Sequence, residues 1–195
     1  MRYPLLVLLA ALTSADSPGA LLSRGTQLVY ASAGQDAPPW TVEQITRDTT
    51  LGGMHRCSVI HLRTSPAQAA PEHRMYCVRG DTLFAWDSAQ LRHAPLRPVG
   101  PDMSMEVKGR TVTSTYVTGE RLREAIGSVA VDVLVTTVTT RDSTGAVVRR
   151  LRERYSVGLA TATGGVFEIP DSTASSGWRQ QRAFELVRVS TAGDP

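Results

Sequence analysis

The chain has 195 residues, of which 42% are hydrophobic, with 21 Lys and Arg against 18 Asp and Glu. This length and composition are typical of one globular domain with a sizeable core. The net charge of +3 is too small to indicate a nucleic-acid partner. The absence of asparagine excludes N-glycosylation.

The N-terminus has the form of an export signal. Arg2 supplies a positive charge, residues 4–12 form a short apolar core, and small residues lead to a cleavage position after Ala15. The apolar run is shorter than the about 20 residues that a membrane-spanning helix needs, and no later run is long enough. We therefore expect a periplasmic or secreted protein with no transmembrane segment in the mature chain. An uncleaved N-terminal anchor is the alternative.

The remaining chain is expected to form one β domain. The predicted organisation is a signal peptide (1–15), a flexible leader (16–24), a single β domain (25–190) and a tail (191–195). Segments that alternate β-forming residues, bounded by Gly, Pro or Asp, are predicted as strands. They are residues 26–32, 40–47, 56–63, 73–79, 82–86, 103–108, 111–117, 129–136, 146–157, 165–169 and 184–189.

Three segments are interpreted differently. Residues 87–102 contain Pro95, Pro98 and Pro101 and are predicted as a long irregular connection, while residues 120–126 are the one segment that could be helical. The Gly164-Gly165 pair is interpreted as a hairpin turn. The pattern predicts a mainly β fold: a single-domain curved antiparallel sheet, half-open barrel or sandwich, with at most one or two short helices.

The chain has two cysteines, Cys57 and Cys77. In an oxidising compartment such a pair usually forms a disulfide; two buried free thiols are the alternative. If the cysteines face each other across an antiparallel pair, residues 56–63 lie against 73–79 and residues 64–72 form the loop. The same register places His61 opposite His73, which makes these two a candidate metal site. The alternative is two partly exposed histidines near a loop.

A row of arginines is the other candidate site. Arg150, Arg152 and Arg154 alternate along one strand and share one face, whereas Glu153 and Tyr155 share the other. The row could bind an anion. The alternative is a solvated face that is paired with acidic neighbours. Nucleic acid is not expected, because export argues against it and no aromatic residues are interleaved with the arginines.

No catalytic motif is present. Gly-x-Ser-x-Gly, Ser-x-x-Lys, His-Glu-x-x-His and phosphate-binding glycine loops are all absent. The segment Asp142-Ser-Thr-Gly145 departs from the Asp-Thr/Ser-Gly of aspartic proteases by one extra residue and is predicted to be a turn. The sequence therefore indicates no catalytic residue and no cofactor.

Part of the chain resembles a group of exported bacterial proteins. The segment Tyr155-Ser-Val-Gly-Leu-Ala-Thr161, followed by Phe184-Glu-Leu-Val187, resembles the closing strands of TapB-like and LolA/LppX-like envelope proteins. Their pattern is Tyr-x-x-Gly-x-Gly-x-Val and then a final Glu-Leu-Val strand, and Ala160 stands at the second glycine. The resemblance implies a curved antiparallel sheet that wraps a helix or cradles a lipophilic ligand.

Three functions are compatible with these features. The first is a non-enzymatic extracytoplasmic β module that binds a lipophilic or anionic ligand or an envelope partner. The second is a hydrolase or metal-dependent enzyme with a site near His61 and His73. The third is a structural part of an envelope assembly that adds a strand to its partner by edge pairing.

Overall fold

The computed structural model describes residues 21–22, 25–33, 40–48, 56–65, 72–87 and 92–190. The predicted signal peptide, the tail and most of the predicted 64–72 loop lie outside the described residues. In the described part of the chain every regular element is a β-strand, and no helix there could cross a membrane.

The strands form a single antiparallel sheet in which consecutive strands are neighbours, except that β1 pairs with β12 and that β6 and β7 lie at the two ends. They are β1 (Thr26–Ala33), β2 (Trp40–Asp48), β3 (Arg56–Ser65), β4 (Glu72–Arg79), β5 (Thr82–Asp87), β6 (Arg92–Pro98), β7 (Ser104–Lys108), β8 (Val112–Ile126), β9 (Val129–Asp142), β10 (Val147–Ser156), β11 (Thr161–Pro170) and β12 (Trp178–Ser190). Their order across the sheet is β6-β5-β4-β3-β2-β1-β12-β11-β10-β9-β8-β7. The predicted mainly β fold and antiparallel sheet are confirmed.

The turn between β9 and β10 shows how the sequence sets the hairpins. One carboxylate oxygen of Asp142 accepts hydrogen bonds from the Thr144 hydroxyl at 2.6 Å, the Thr144 N–H at 2.9 Å and the Ala146 N–H at 3.1 Å. Gly145 follows with φ +85°, a conformation that disfavours other residues. The predicted turn is therefore confirmed, and side-chain hydrogen bonds stabilise it.

Residues 120–126, predicted as the one segment that could be helical, are the second half of β8. They favour helix locally, but so short a segment cannot hold a helix without tertiary support. They pair instead with the start of β9, from Arg121 opposite Leu134 to Ile126 opposite Val129. The pairing with β-branched residues overrides local propensity.

Two further predictions were wrong. Residues 87–102 are not wholly irregular, because they contain β6, whose Pro95 and Pro98 are tolerated at the edge of a sheet. Gly164-Gly165 is not a hairpin turn and lies inside β11. A Cβ atom on Gly165 would lie 2.9 Å from the Phe184 ring, so this glycine makes room for an aromatic side chain on the neighbouring strand.

Irregular pairing bends the sheet. Register shifts occur in β8 between Thr118 and Arg121 and in β10 between Arg154 and Tyr155, and such bulges increase local twist. The bending brings β6, at one end of the strand order, against β7 and β8 at the other end, and a side chain of β6 reaches β10. The core lies inside this curve, with Leu28, Leu83 and Leu159 fully buried.

The strand register predicted from the cysteines is confirmed by the backbone. Cys57 pairs with Cys77 and His61 with His73 across β3 and β4. The predicted flexible leader is described only at Leu21 and Leu22. The Leu21 N–H donates to the Gly158 carbonyl at 2.8 Å, and Leu22 is buried in the core.

Candidate functional site: a cleft beside a buried arginine–glutamate pair

A buried ion pair joins β6 to β10. Arg97 Nη1 lies 2.7 Å from Glu153 Oε1, and each side chain is only 7% exposed. Arg97 Nη2 also donates to the Thr136 hydroxyl at 3.2 Å. Two charges are stable at such depth only when each compensates the other. The pair therefore holds the edge strand β6 over the centre of the curved sheet.

Aromatic rings surround the guanidinium. Arg97 Cζ lies 3.6 Å from the centre of the Tyr155 ring and 5.7 Å from that of Tyr116. Arg97 Nε has no hydrogen-bond partner among the described residues. On the Nε side, the main contact of the Arg97 guanidinium is therefore a cation–π interaction with the face of the Tyr155 ring.

The two phenols are held neutral. Burial raises the pKa of Tyr155 well above its ordinary value, and the nearby Arg97 charge offsets only part of this effect. Burial likewise raises the pKa of Tyr116. A phenol that stays protonated can donate a hydrogen bond but cannot serve as a base, so this cluster offers no general base from its tyrosines.

A cleft of about 240 Å³ opens on the other side of Tyr155. It lies where the β8–β9 hairpin extends beyond the end of β10. We call it the hairpin cleft. Its apolar lining includes Leu21, Val99, Val133, Leu134, Tyr155 and Val157. Its charged lining consists of Arg121, Arg123 and Asp132.

The charged residues of the hairpin cleft differ in their contacts. Arg121 Nη2 donates to the Val99 carbonyl at 3.3 Å. Arg123 Nη1 lies 3.9 Å from Asp132 Oδ1, and these side chains are 75% and 45% exposed. An exposed pair at this distance contributes little. The cleft thus combines apolar walls with the guanidinium groups of Arg121 and Arg123.

The predicted arginine row is matched by carboxylates. Arg150 Nε and Arg152 Nη2 donate to the two oxygens of Glu168 at 2.7 and 3.0 Å. Arg154 lies 3.0 Å from Glu124 and 2.5 Å from Glu185. An anion at this face would have to compete with three carboxylates of the chain itself.

Of the predicted cysteine and histidine sites, only Cys77 on β4 has a described side chain. Tyr76 of β4 is a core residue, so the alternation of the strand turns Cys77 to the other side. Cys77 is nonetheless buried. The side chains of Cys57, His61 and His73 lie outside the described residues. Among the side chains that are described, no group of three metal-ligating residues occurs.

Sequence reasoning missed the Arg97–Glu153 pair and the hairpin cleft. Arg97 lies in the proline-rich stretch that was predicted to be irregular, so no strand face could be assigned to it. Glu153 did carry a signal, since it shares the face of Leu151 and Tyr155 rather than that of the arginines. A carboxylate on an apolar face predicts a buried cationic partner, although not which one.

No protein-family model, curated protein or solved structure matches the chain.

Proposed function

We propose that this protein is a non-enzymatic extracytoplasmic binding module whose hairpin cleft takes a small ligand with an apolar body and an anionic head. The observation that carries the proposal is the lining of the cleft. Val133, Leu134 and Val157 provide an apolar surface, while Arg121 and Arg123 lie at the same opening. Guanidinium groups bind carboxylates and phosphates through paired N–H donors.

The size of the cleft narrows the ligand class. At about 240 Å³ it lies below the range of roughly 300–1,000 Å³ that is typical of drug-sized ligands. A long-chain lipid would not fit, whereas a medium-chain carboxylate would. The expected lipophilic or anionic ligand therefore becomes one small molecule with both properties.

The charges support binding rather than catalysis. A carboxylate head could displace Asp132 from Arg123 at little cost, because that pair is exposed and 3.9 Å apart. Tyr155 lines the cleft, and because burial raises its pKa, its phenol stays protonated and can donate a hydrogen bond. No described group in the cleft combines a nucleophile with an adjacent base.

The extracytoplasmic location and the disulfide belong to the same proposal. The export signal supports the location, and the register of Cys57 against Cys77 supports the disulfide. Closing that loop would stabilise the fold by about 3 kcal/mol in the chain-entropy model. Intact mass before and after reduction and alkylation, on protein recovered from the periplasm, measures both. Unreacted thiols in the folded protein, or a retained signal peptide, would contradict these two assignments.

The ligand proposal is tested with three probes by isothermal titration calorimetry. Octanoate carries both features of the ligand, acetate carries only the charge, and 1-octanol carries only the apolar chain. We expect octanoate to bind more tightly than either. The variant Arg121→Gln should weaken octanoate about tenfold while leaving 1-octanol unchanged, because one charge-assisted hydrogen bond is lost.

The matched control is Arg179→Gln. Arg179 is 66% exposed and lies 3.6 Å from Asp171, away from the cleft, so its removal should not change octanoate binding. Equal effects of Arg121→Gln and Arg179→Gln would show nonspecific attraction to a basic surface and would overturn the proposal. Failure of octanoate to bind the wild-type protein would overturn it as well.

A metal site is the second candidate function, and the backbone register favours it. His61 and His73 pair directly across β3 and β4, and side chains at directly opposed positions of an antiparallel pair are in general close enough to share one ion. Titration with zinc should show one site in the wild-type protein and none in His61→Ala. Binding that is unchanged in His61→Ala would exclude this site.

A further inference from the structure

The two edges of the sheet differ in their capacity to pair. β6 forms one edge and β7 the other. β6 contains Pro95 and Pro98, and proline lacks the N–H that a new strand would need. β7 contains no proline, and its register against β8 is regular from Ser104 to Lys108. Of the two edges in the described part of the chain, β7 is therefore the suitable template for strand addition.

The hydrogen bonds of the β7–β8 hairpin show which backbone groups point outward. The Gly109 N–H donates to the Val112 carbonyl at 2.8 Å, and the Thr118 N–H donates to the Met103 carbonyl at 2.8 Å. In an antiparallel pair such positions alternate, so odd-numbered residues of β7 bond to β8. The N–H and C=O groups of Ser104, Glu106 and Lys108 point away from β8. No strand in the described part of the chain pairs with them.

The side chains along this edge carry complementary charges. Glu106 and Lys108 are 54% and 78% exposed and share one face of β7. Lys108 is the only lysine in the chain. Met105 and Val107 lie on the other face and are half-buried. The edge thus offers one acidic and one basic residue beside an apolar face that a further strand would extend.

We propose that the outer edge of β7 pairs with the same edge of a second copy of this chain, antiparallel, with Glu106 opposite Lys108 of the other copy. The outward backbone groups require even-numbered residues to face each other. Among the registers that satisfy this, one places Glu106 opposite Glu106 and another places Lys108 opposite Lys108. Both are repulsive. The register centred on Val107 gives two Glu–Lys pairs and is selected by charge.

The two-fold symmetry of this pairing limits the assembly to two copies of the chain. Each copy uses its β7 edge once, and the prolines of β6 prevent the other edge from recruiting a further copy. The product is a two-fold dimer with a continuous sheet across both chains. Because the contact consists of two short strands, we expect a weak dimer whose population depends on protein concentration.

Charge exchange tests the dimer and its register together. Sedimentation velocity over a concentration series should show monomer–dimer equilibrium for the wild-type protein. Glu106→Lys and Lys108→Glu should each weaken self-association about tenfold, because both cross-strand pairs become like-charged. The double variant with both substitutions restores opposite charges and should dimerise as the wild type does. An equimolar mixture of the two single variants should form a heterodimer.

Folding does not confound these results, because both side chains are exposed. Circular dichroism of each variant should match the wild type. Arg179→Glu, an exposed charge reversal on β12, is the matched control and should leave dimerisation unchanged. A wild-type protein that is monomeric at all concentrations would overturn the proposal. So would a double variant that stays monomeric, or single variants that do not associate when mixed.

Discussion

The two faces of β10 carry charge in opposite ways. On the inner face, Glu153 is 8% exposed and meets one partner, Arg97, from a strand distant in the sheet order. On the outer face, Arg150, Arg152 and Arg154 share several carboxylates from neighbouring strands. Alternation along one strand thus separates a buried pair from a surface network.

This difference indicates which charged residues contribute most to the stability of the fold. The buried pair spans the curve of the sheet, and neither member has another oppositely charged partner among the described residues, so the loss of either member leaves the other charge without compensation. In the outer network Glu168 pairs with two arginines and Arg154 with two glutamates, and most of these side chains contact water, so the loss of one member should cost less. The more conspicuous feature of the sequence is therefore expected to matter less to stability.

The largest expected effect is at the buried pair. Arg97→Met removes the cation and leaves Glu153 buried, which should lower the free energy of unfolding by about 3–5 kcal/mol. Urea denaturation measures this loss. The double variant Arg97→Met/Glu153→Leu replaces the pair with apolar side chains and should recover much of the stability. If Arg97→Met cost less than about 1 kcal/mol, the inner pair would behave as a surface pair and the contrast would fail.

Glu168 is intermediate, because it belongs to the outer network yet is only 7% exposed. It accepts hydrogen bonds from Arg150 and Arg152, and the bond from Arg150 is the main cause that lowers its pKa from the usual 4.5. Glu168→Gln should cost about 2 kcal/mol at neutral pH, as expected for hydrogen bonds between charged groups.

The pH dependence of this cost has a defined sign. The folded-state pKa of Glu168 is lower than the unfolded one, so its contribution is complete above the unfolded pKa of 4.5 and is lost as pH falls through the folded value. The wild type and Glu168→Gln should therefore converge in stability as the solution is acidified below the usual glutamate range. Urea titrations across that range measure the gap. A gap that stays constant would show that the carboxylate charge is not its source.

Much of the fold could be predicted from the sequence because its signals are local. Period-two alternation and turn residues located most of the strands, and the cysteine spacing gave the register of β3 against β4, which the backbone confirms. The prediction that residues 120–126 could be helical was wrong, because their local preference is helical but pairing with β9 places them in a strand. β6 was not predicted because its prolines are tolerated only at the edge of a sheet, and which strand lies at an edge depends on the whole sheet.

The candidate site could not be predicted for a related reason. The hairpin cleft collects Leu21, Val99, Arg121 and Val157 from segments that are remote in sequence, and no periodicity in any one segment reveals that meeting. The curvature that unites them arises from register shifts such as that between Thr118 and Arg121. Such bulges leave little trace in composition.

The smallest expected effect is at Glu185, the more exposed partner of Arg154. Glu185 is 58% exposed, and Arg154 retains Glu124, which is 26% exposed, when Glu185 is removed. Glu185→Gln should therefore cost about 0.5 kcal/mol in low salt, as for other exposed pairs. The cost should vanish at about 1 M salt, where the Debye length is about 3 Å.

The cost of Arg97→Met, by contrast, should persist at about 1 M salt, because water and ions do not reach a pair that is 7% exposed on each side. Urea denaturation of both variants at low and high salt measures this contrast directly. If salt reduced both costs equally, burial would not be what separates the two faces of β10.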